Sequence, residues 1–149
     1  MHLVDSSVWV ALSIDKHEHH DAALGWLNTV VEPASVLFCR ATQQTFLRLI
    51  TTAAVVASYG YQPKTNRQAW SEYEAIFADR RIAFQEREPA GMEDYWRQFS
   101  NREMASSKLW MDAYLAAFAR AGGYQMVTTD AAFAQFDGLD FILLGSGKD

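Results

Sequence analysis

The sequence predicts an α/β fold: a parallel sheet flanked by helices, in a single domain over 1–149 with a helical hairpin inserted midway. Three features predict it. The last third alternates helix, strand, short helix and strand; the chain begins strand, turn, helix; and half of its 149 residues are hydrophobic. A βαβ rhythm implies parallel strands joined by right-handed crossovers. That apolar content can fill a core without disulfides or structural metal.

In order, residues 2–5 are a short apolar run ending in Asp5, and Ser6 or Ser7 can cap a helix carrying Val8, Ala11 and Leu12. Ala23, Leu24, Leu27 and Val30 share one face of a helix over His20–Val30, which Pro33 separates from a strand at Ser35–Cys39. Phe46, Leu47, Ile50, Ala54 and Val55 suit a helix from Thr42 to about Ser58. Gly60 to Pro63 break it before Asn66–Ala78 resumes the helical spacing, giving the hairpin. A short strand at Ile82–Phe84, a helix near Glu93–Phe99 and a polar link of alternating charge, Ser100 to Ser107, follow. A helix over Lys108–Ala121 stops at Gly122-Gly123. Then come a strand at Gln125–Thr128, a short helix around Phe133 and a strand at Phe141–Leu144, with 145–149 as a flexible tail.

Charge and composition exclude several classes. Thirteen Lys and Arg against eighteen Asp and Glu give −5, so the surface as a whole does not attract nucleic acid. Any contact with a polyanion is local or made through a cation. Cys39 has no intrachain partner and adjoins the apolar run Val36-Leu37-Phe38, which fits a buried thiol in a reducing compartment. The start of the chain lacks the pattern of a signal peptide, and no stretch has the roughly 18 to 20 apolar residues of a membrane span. A cytoplasmic protein with no membrane association is the expectation.

Three acids carry the chemistry. Asp5 follows a strand, and in open parallel sheets ligands collect outside the carboxyl ends of strands; a helix cap is its alternative role. Asp112 lies on the stripe of Leu109, Leu115, Ala116 and Ala119, where an unpartnered carboxylate is costly, so a basic partner, protonation or a metal ion must relieve it. Asp130 ends Val127-Thr128-Thr129-Asp130, beyond a strand and before a short helix, and is also a possible cap. Three acids converging on one sheet edge repel one another unless a divalent cation neutralises them, and oxygen-only ligation favours Mg²⁺ or Mn²⁺. An ion held there supports hydrolysis of a phosphodiester by activating water and offsetting charge on the phosphate oxygens.

Leu3-Val4-Asp5-Ser6-Ser7-Val8-Trp9, the run Leu109-Trp110-Met111-Asp112-Ala113-Tyr114-Leu115-Ala116-Ala117-Phe118-Ala119, and Val127-Thr128-Thr129-Asp130-Ala131-Ala132-Phe133 resemble successive motifs of VapC-type PIN-domain toxins. The resemblance spans nearly the whole chain, including Phe38-Cys39-Arg40-Ala41-Thr42-Gln43 and Phe46-Leu47-Arg48-Leu49-Ile50-Thr51. It implies a PIN-like sheet and a Mg²⁺-dependent endoribonuclease acting on structured RNA, silenced by a cognate antitoxin protein. Asp5, Asp112 and Asp130 are then the catalytic and metal-binding residues. Ser6, Gln43 and Thr128 are supporting candidates, and Arg40 and Arg48 candidate phosphate contacts, though Arg48 is equally a partner for Asp112. Many members of that family carry a glutamate in the region of Gln43-Gln44-Thr45, whereas this chain has no acid between Glu32 and Glu72. A second reading therefore stays open: a catalytically inactive PIN module that binds RNA or a protein partner.

Other features yield to plainer readings. His17-Glu18-His19-His20 is a polar helix entry rather than a zinc site. Gly145-Ser146-Gly147-Lys148 has neither the spacing nor the following helix of a phosphate-binding loop. The five tryptophans, at positions 9, 26, 70, 96 and 110, sit among Leu and Ala and read as core rather than as base-stacking platforms. Phe46, Leu49, Ile50, Val55 and Val56 offer more apolar surface than one core needs, which suggests a partner groove or a homodimer face. A phosphoacceptor receiver domain requires adjacent acids after the first strand and a late strand-end lysine, neither of which is present.

Overall fold

The computed structural model describes residues 1–145. Five strands, β1 (His2–Val4), β2 (Val36–Phe38), β3 (Ile82–Phe84), β4 (Gln125–Thr128) and β5 (Phe141–Leu143), form one parallel sheet in the order β3-β2-β1-β4-β5. The chain builds outward from β1 through β2 to β3, then returns to lay β4 on the other side of β1. The order therefore reverses between β1 and β4, and the crevice at such a switch point is where open α/β sheets bind ligands.

Pleating divides the apolar side chains between two layers. Val4, Phe38 and Val127 face one side, packed under α1 (Ser6–Ser13), α2 (His20–Leu27), α3 (Arg40–Ile50), α4 (Ala53–Ala57) and α5 (Asn66–Ile76). There the Trp9 ring stacks on Phe38 with centroids 3.8 Å apart. Leu3, Leu37 and Met126 face the other side, under α6 (Met92–Ser100) and α7 (Leu109–Gly122). Both faces of the sheet are covered, as the near-continuous apolar strands require.

The helical segment expected from Thr42 to Ser58 is instead two helices. Thr51 Oγ1 donates to the Leu47 and Arg48 carbonyls, at 2.9 and 3.0 Å, and Thr52 Oγ1 to that of Arg48 at 2.6 Å. Such hydroxyls compete with the helix ladder, and α3 ends there. The apolar surplus expected on these helices is largely consumed internally, since Phe46, Ile50 and Val56 are buried in the chain's own core. At its far end α7 stops as anticipated, with Gly123 at φ 67° and its N–H returned to the Arg120 carbonyl. Among the described residues no helix is long and apolar enough to cross a membrane. The tail expected at 145–149 lies, beyond Gly145, outside the described residues.

Candidate active site

β1 and β4 run in register, Val4 opposite Val127, and the Asp5 N–H extends the pairing to the Val127 carbonyl at 2.9 Å. That register places Asp5 beside Thr128. Thr128 is fully buried; its Oγ1 donates to Asp5 Oδ2 at 2.8 Å and accepts the Asp130 N–H at 3.0 Å. Ser7 Oγ reaches the same Oδ2 at 3.3 Å. Asp5 does occupy the N-cap position of α1, its backbone carbonyl accepting the Val8 N–H at 3.0 Å, but its side chain makes no capping bond into the helix. Asp130, exposed, does act as a cap: its Oδ1 accepts the Ala132 N–H at 2.9 Å at the start of the 3-10 turn Ala131–Gln135.

Asp112, in the first turn of α7, completes the group. Its carboxyl is pushed up to about 6, first by burial and then by the charges of Asp5 and Asp130. Burial likewise raises Asp5, with Asp130 adding to the effect and the Thr128 and Ser7 hydroxyls opposing it. The three acids thus lie within electrostatic reach of one another. Among the described residues neither Asp5 nor Asp112 pairs with a Lys or Arg.

The supporting candidates divide. Thr128 joins two of the acids, whereas Ser6 turns away and donates to the Thr42 carbonyl at 3.4 Å, tying α1 to α3. Gln43 is buried, its Oε1 taken by Arg40 Nη1 at 2.5 Å. Arg40 opens α3 at the carboxyl end of β2, with its guanidinium 4.7 Å above the Phe84 ring, exposed on the same sheet edge as the acids. Arg48 lies eight residues further along α3, about 12 Å down the helix, beside Trp70 and Asn66 in a groove between α3 and α5. It is not the partner of Asp112. Sequence reasoning passed over two neighbours of the acids. One is Ser7; the other is the set Arg102, Ser106 and Lys108, which borders a recess of about 230 Å³ containing Asp112. Their signal was position, since the polar 100–107 link runs straight into the helix that carries Asp112.

The donor set fits a hard divalent cation of the hydrated kind. Burial first, and then neighbouring acidic charge, raises the carboxyls of Asp5 and Asp112 with no basic side chain paired to either, which leaves negative charge for an ion to neutralise. Among the described residues no three His, Cys, Asp or Glu side chains are grouped closely enough to hold a metal ion between them. Mg²⁺ requires no such group, because it commonly keeps several waters and binds through one or two carboxylates.

Fold and site together define an open, all-parallel α/β domain with acidic side chains where the strand order reverses. The chain belongs to the PIN domain family, whose model matches residues 2–139. It is 49% identical over 144 residues to Ribonuclease VapC41 of Mycobacterium tuberculosis, covering 97% of this chain and 99% of that one. It is 29% identical over 136 residues to Ribonuclease VapC29 of the same organism, covering 91% and 90%. The fold matches VapBC2 from Rickettsia felis, solved with a DNA fragment from its promoter (TM-score 0.67, 14% identity, 97% and 98% of the two chains). It also matches Mycobacterium tuberculosis VapC20, a sarcin–ricin-loop-cleaving toxin (TM-score 0.61, 17% identity, 90% and 93%).

Proposed function

We propose that the chain is an endoribonuclease, the toxin of a toxin–antitoxin pair, which hydrolyses RNA with a divalent cation, Mg²⁺ or Mn²⁺, at Asp5, Asp112 and Asp130. The RNA-hydrolysing activity follows from family membership and from 49% identity, over nearly the full length, to a ribonuclease. The observation that carries the site is the Asp5–Thr128–Asp130 bridge at the switch point, with Asp112 facing it.

Asp5 and Asp112 are the direct ligands in this reading, and Asp130, whose Oδ1 is engaged as a cap, acts through water. Bound there, the ion supplies Lewis acidity for hydrolysis of the phosphodiester. The residues of the chain do the rest. Thr128 and Ser7 fix Asp5 through hydrogen bonds to its Oδ2. Arg40, held by Gln43 and by the face of Phe84, presents a cation for a substrate phosphate.

A cognate antitoxin is the protein partner, in keeping with the toxin–antitoxin assemblies that share the fold. A homodimer is proposed on exposed Leu24 and Trp70, on helices of one layer, and light scattering of the purified chain tests it. One observation favours the inactive-module reading: the buried residue in the glutamate-bearing region is neutral Gln43, and it serves Arg40. Incubating purified protein with total RNA under Mg²⁺, Mn²⁺ or chelator separates the two. Discrete cleavage products that vanish with chelator support the enzyme, and no products from folded protein with either ion support the inactive module.

A further inference from the structure

The 101–108 connection between α6 and α7 walls an open groove of about 900 Å³ that runs from Trp96 and Arg97 to Trp110. The smaller recess holding Asp112 shares Arg102, Met104, Ser106 and Leu109 with this groove, so the groove adjoins Asp112. Two of its side chains are large, apolar and solvent-facing: Trp110 is 58% exposed and Met104 78%. This overturns the expectation that every tryptophan is core. Trp110 is nonetheless held: Trp96 Nε1 donates to its backbone carbonyl at 3.0 Å, and the two rings meet edge to face at 6.3 Å.

The charge of the groove departs from that of the chain. Arg97, Arg102 and Lys108 line the groove and recess against Glu93 and Asp112, in a protein of net charge −5. The Arg97–Glu93 contact, at 3.9 Å between two exposed side chains, ties up little of that positive charge. Arg102 gives one N–H to Gln135 Oε1 at 3.1 Å, which orients it at the junction of groove and recess with donors to spare. A fixed aromatic face with cations on either side is what a single strand requires, since bases stack on the ring while phosphates meet the charges. A surface serving only a protein partner would not need to lead into the recess that holds Asp112.

We infer that this groove binds unpaired nucleotides adjoining the scissile phosphate, with a base stacked on Trp110 and the backbone contacted by Arg102 and Lys108. The inference deepens the ribonuclease reading and rests on it for the identity of the strand as substrate. Its physical content is binding, which can be measured without turnover.

The test uses Asp112→Asn protein, which cannot consume the probe, and a fluorescent single-stranded RNA of about twelve nucleotides, within the span such sites cover. Adding Trp110→Ala lowers affinity about tenfold with the salt dependence unchanged, and Trp110→Phe restores most of the loss. Adding Arg102→Ala lowers affinity and also reduces the slope of log affinity against log salt by about 0.7, one phosphate contact on a single strand. A structural defect would not separate the two variants in this way. Both variants binding like the parent overturns the inference, as does unchanged RNA affinity coupled to weakened antitoxin binding, which would assign the groove to the protein partner. Should the native chain prove unable to cleave while the groove variants still bind RNA more weakly, the groove stands and only the hydrolytic reading falls.

Discussion

Thr128 Oγ1 donates to Asp5 Oδ2 at 2.8 Å across 123 positions of sequence and itself accepts the N–H of Asp130 at 3.0 Å. One buried side chain therefore sets the orientation of one acid and the backbone of another. Residues that orient metal ligands typically matter by about ten- to a hundredfold. Thr128→Val, which keeps the shape and removes the hydroxyl, is expected to lower the RNA cleavage rate by about that factor, while Thr128→Ser retains most of it. Single-turnover cleavage of a defined RNA measures both.

The acids make the metal-free chain less stable as pH rises. Asp112 titrates near 6 in the folded protein, above its ordinary 3.8, so the folded state holds a proton that the unfolded chain has already released. Stability is greatest below the lower value, falls between the two, and stays reduced above the upper one. Asp112→Asn is therefore expected to stabilise chelator-treated protein near neutral pH by roughly 1–2 kcal/mol, the electrostatic penalty being discounted for solvent screening, and to change little near pH 4. Thermal melts at the two pH values check the sign.

The same proton competes with a cation. Mn²⁺ affinity is expected to hold above about pH 6.5 and to fall about tenfold per pH unit well below the Asp112 titration near 6. Calorimetric titration of Mn²⁺ across that range follows it; affinity independent of pH would place the ion elsewhere.

Arg40 is exposed, and its guanidinium rests on Gln43 and Phe84 rather than on an acid. Arg40→Ala is expected to raise KM for RNA about tenfold, the worth of one charge-assisted phosphate contact, with kcat and melting temperature little changed. Steady-state kinetics with a short RNA measure the split.

Much of this arrangement is legible in the residues. Asp5 and Asp130 are marked by the strands they follow, and the α7 stripe marks Asp112, because strand ends and helix periodicity are local signals. Thr128 could be suspected as their neighbour, but its bond to Asp5 depends on β1–β4 register, which pairs positions over a hundred residues apart. Arg48 shows the converse. Its helical spacing is consistent with a place near the crevice, and only the length of α3 carries it away. Thr51 and Thr52 read as helix residues until their hydroxyls are seen to take the carbonyls that would have continued the ladder. The exposure of Trp110 is not legible in the sequence, because apolar neighbours do not reveal which face of α7 the 101–108 connection leaves uncovered.

The central claim is that the carboxylates at the β1–β4 switch point perform the hydrolysis. It is tested most directly by comparing Mg²⁺-supported cleavage of one RNA by the native chain, Asp5→Asn and Asp112→Asn, each first shown to be folded by circular dichroism. The account predicts that both variants lose at least about a hundredfold in rate. Either variant cleaving at the native rate would contradict it.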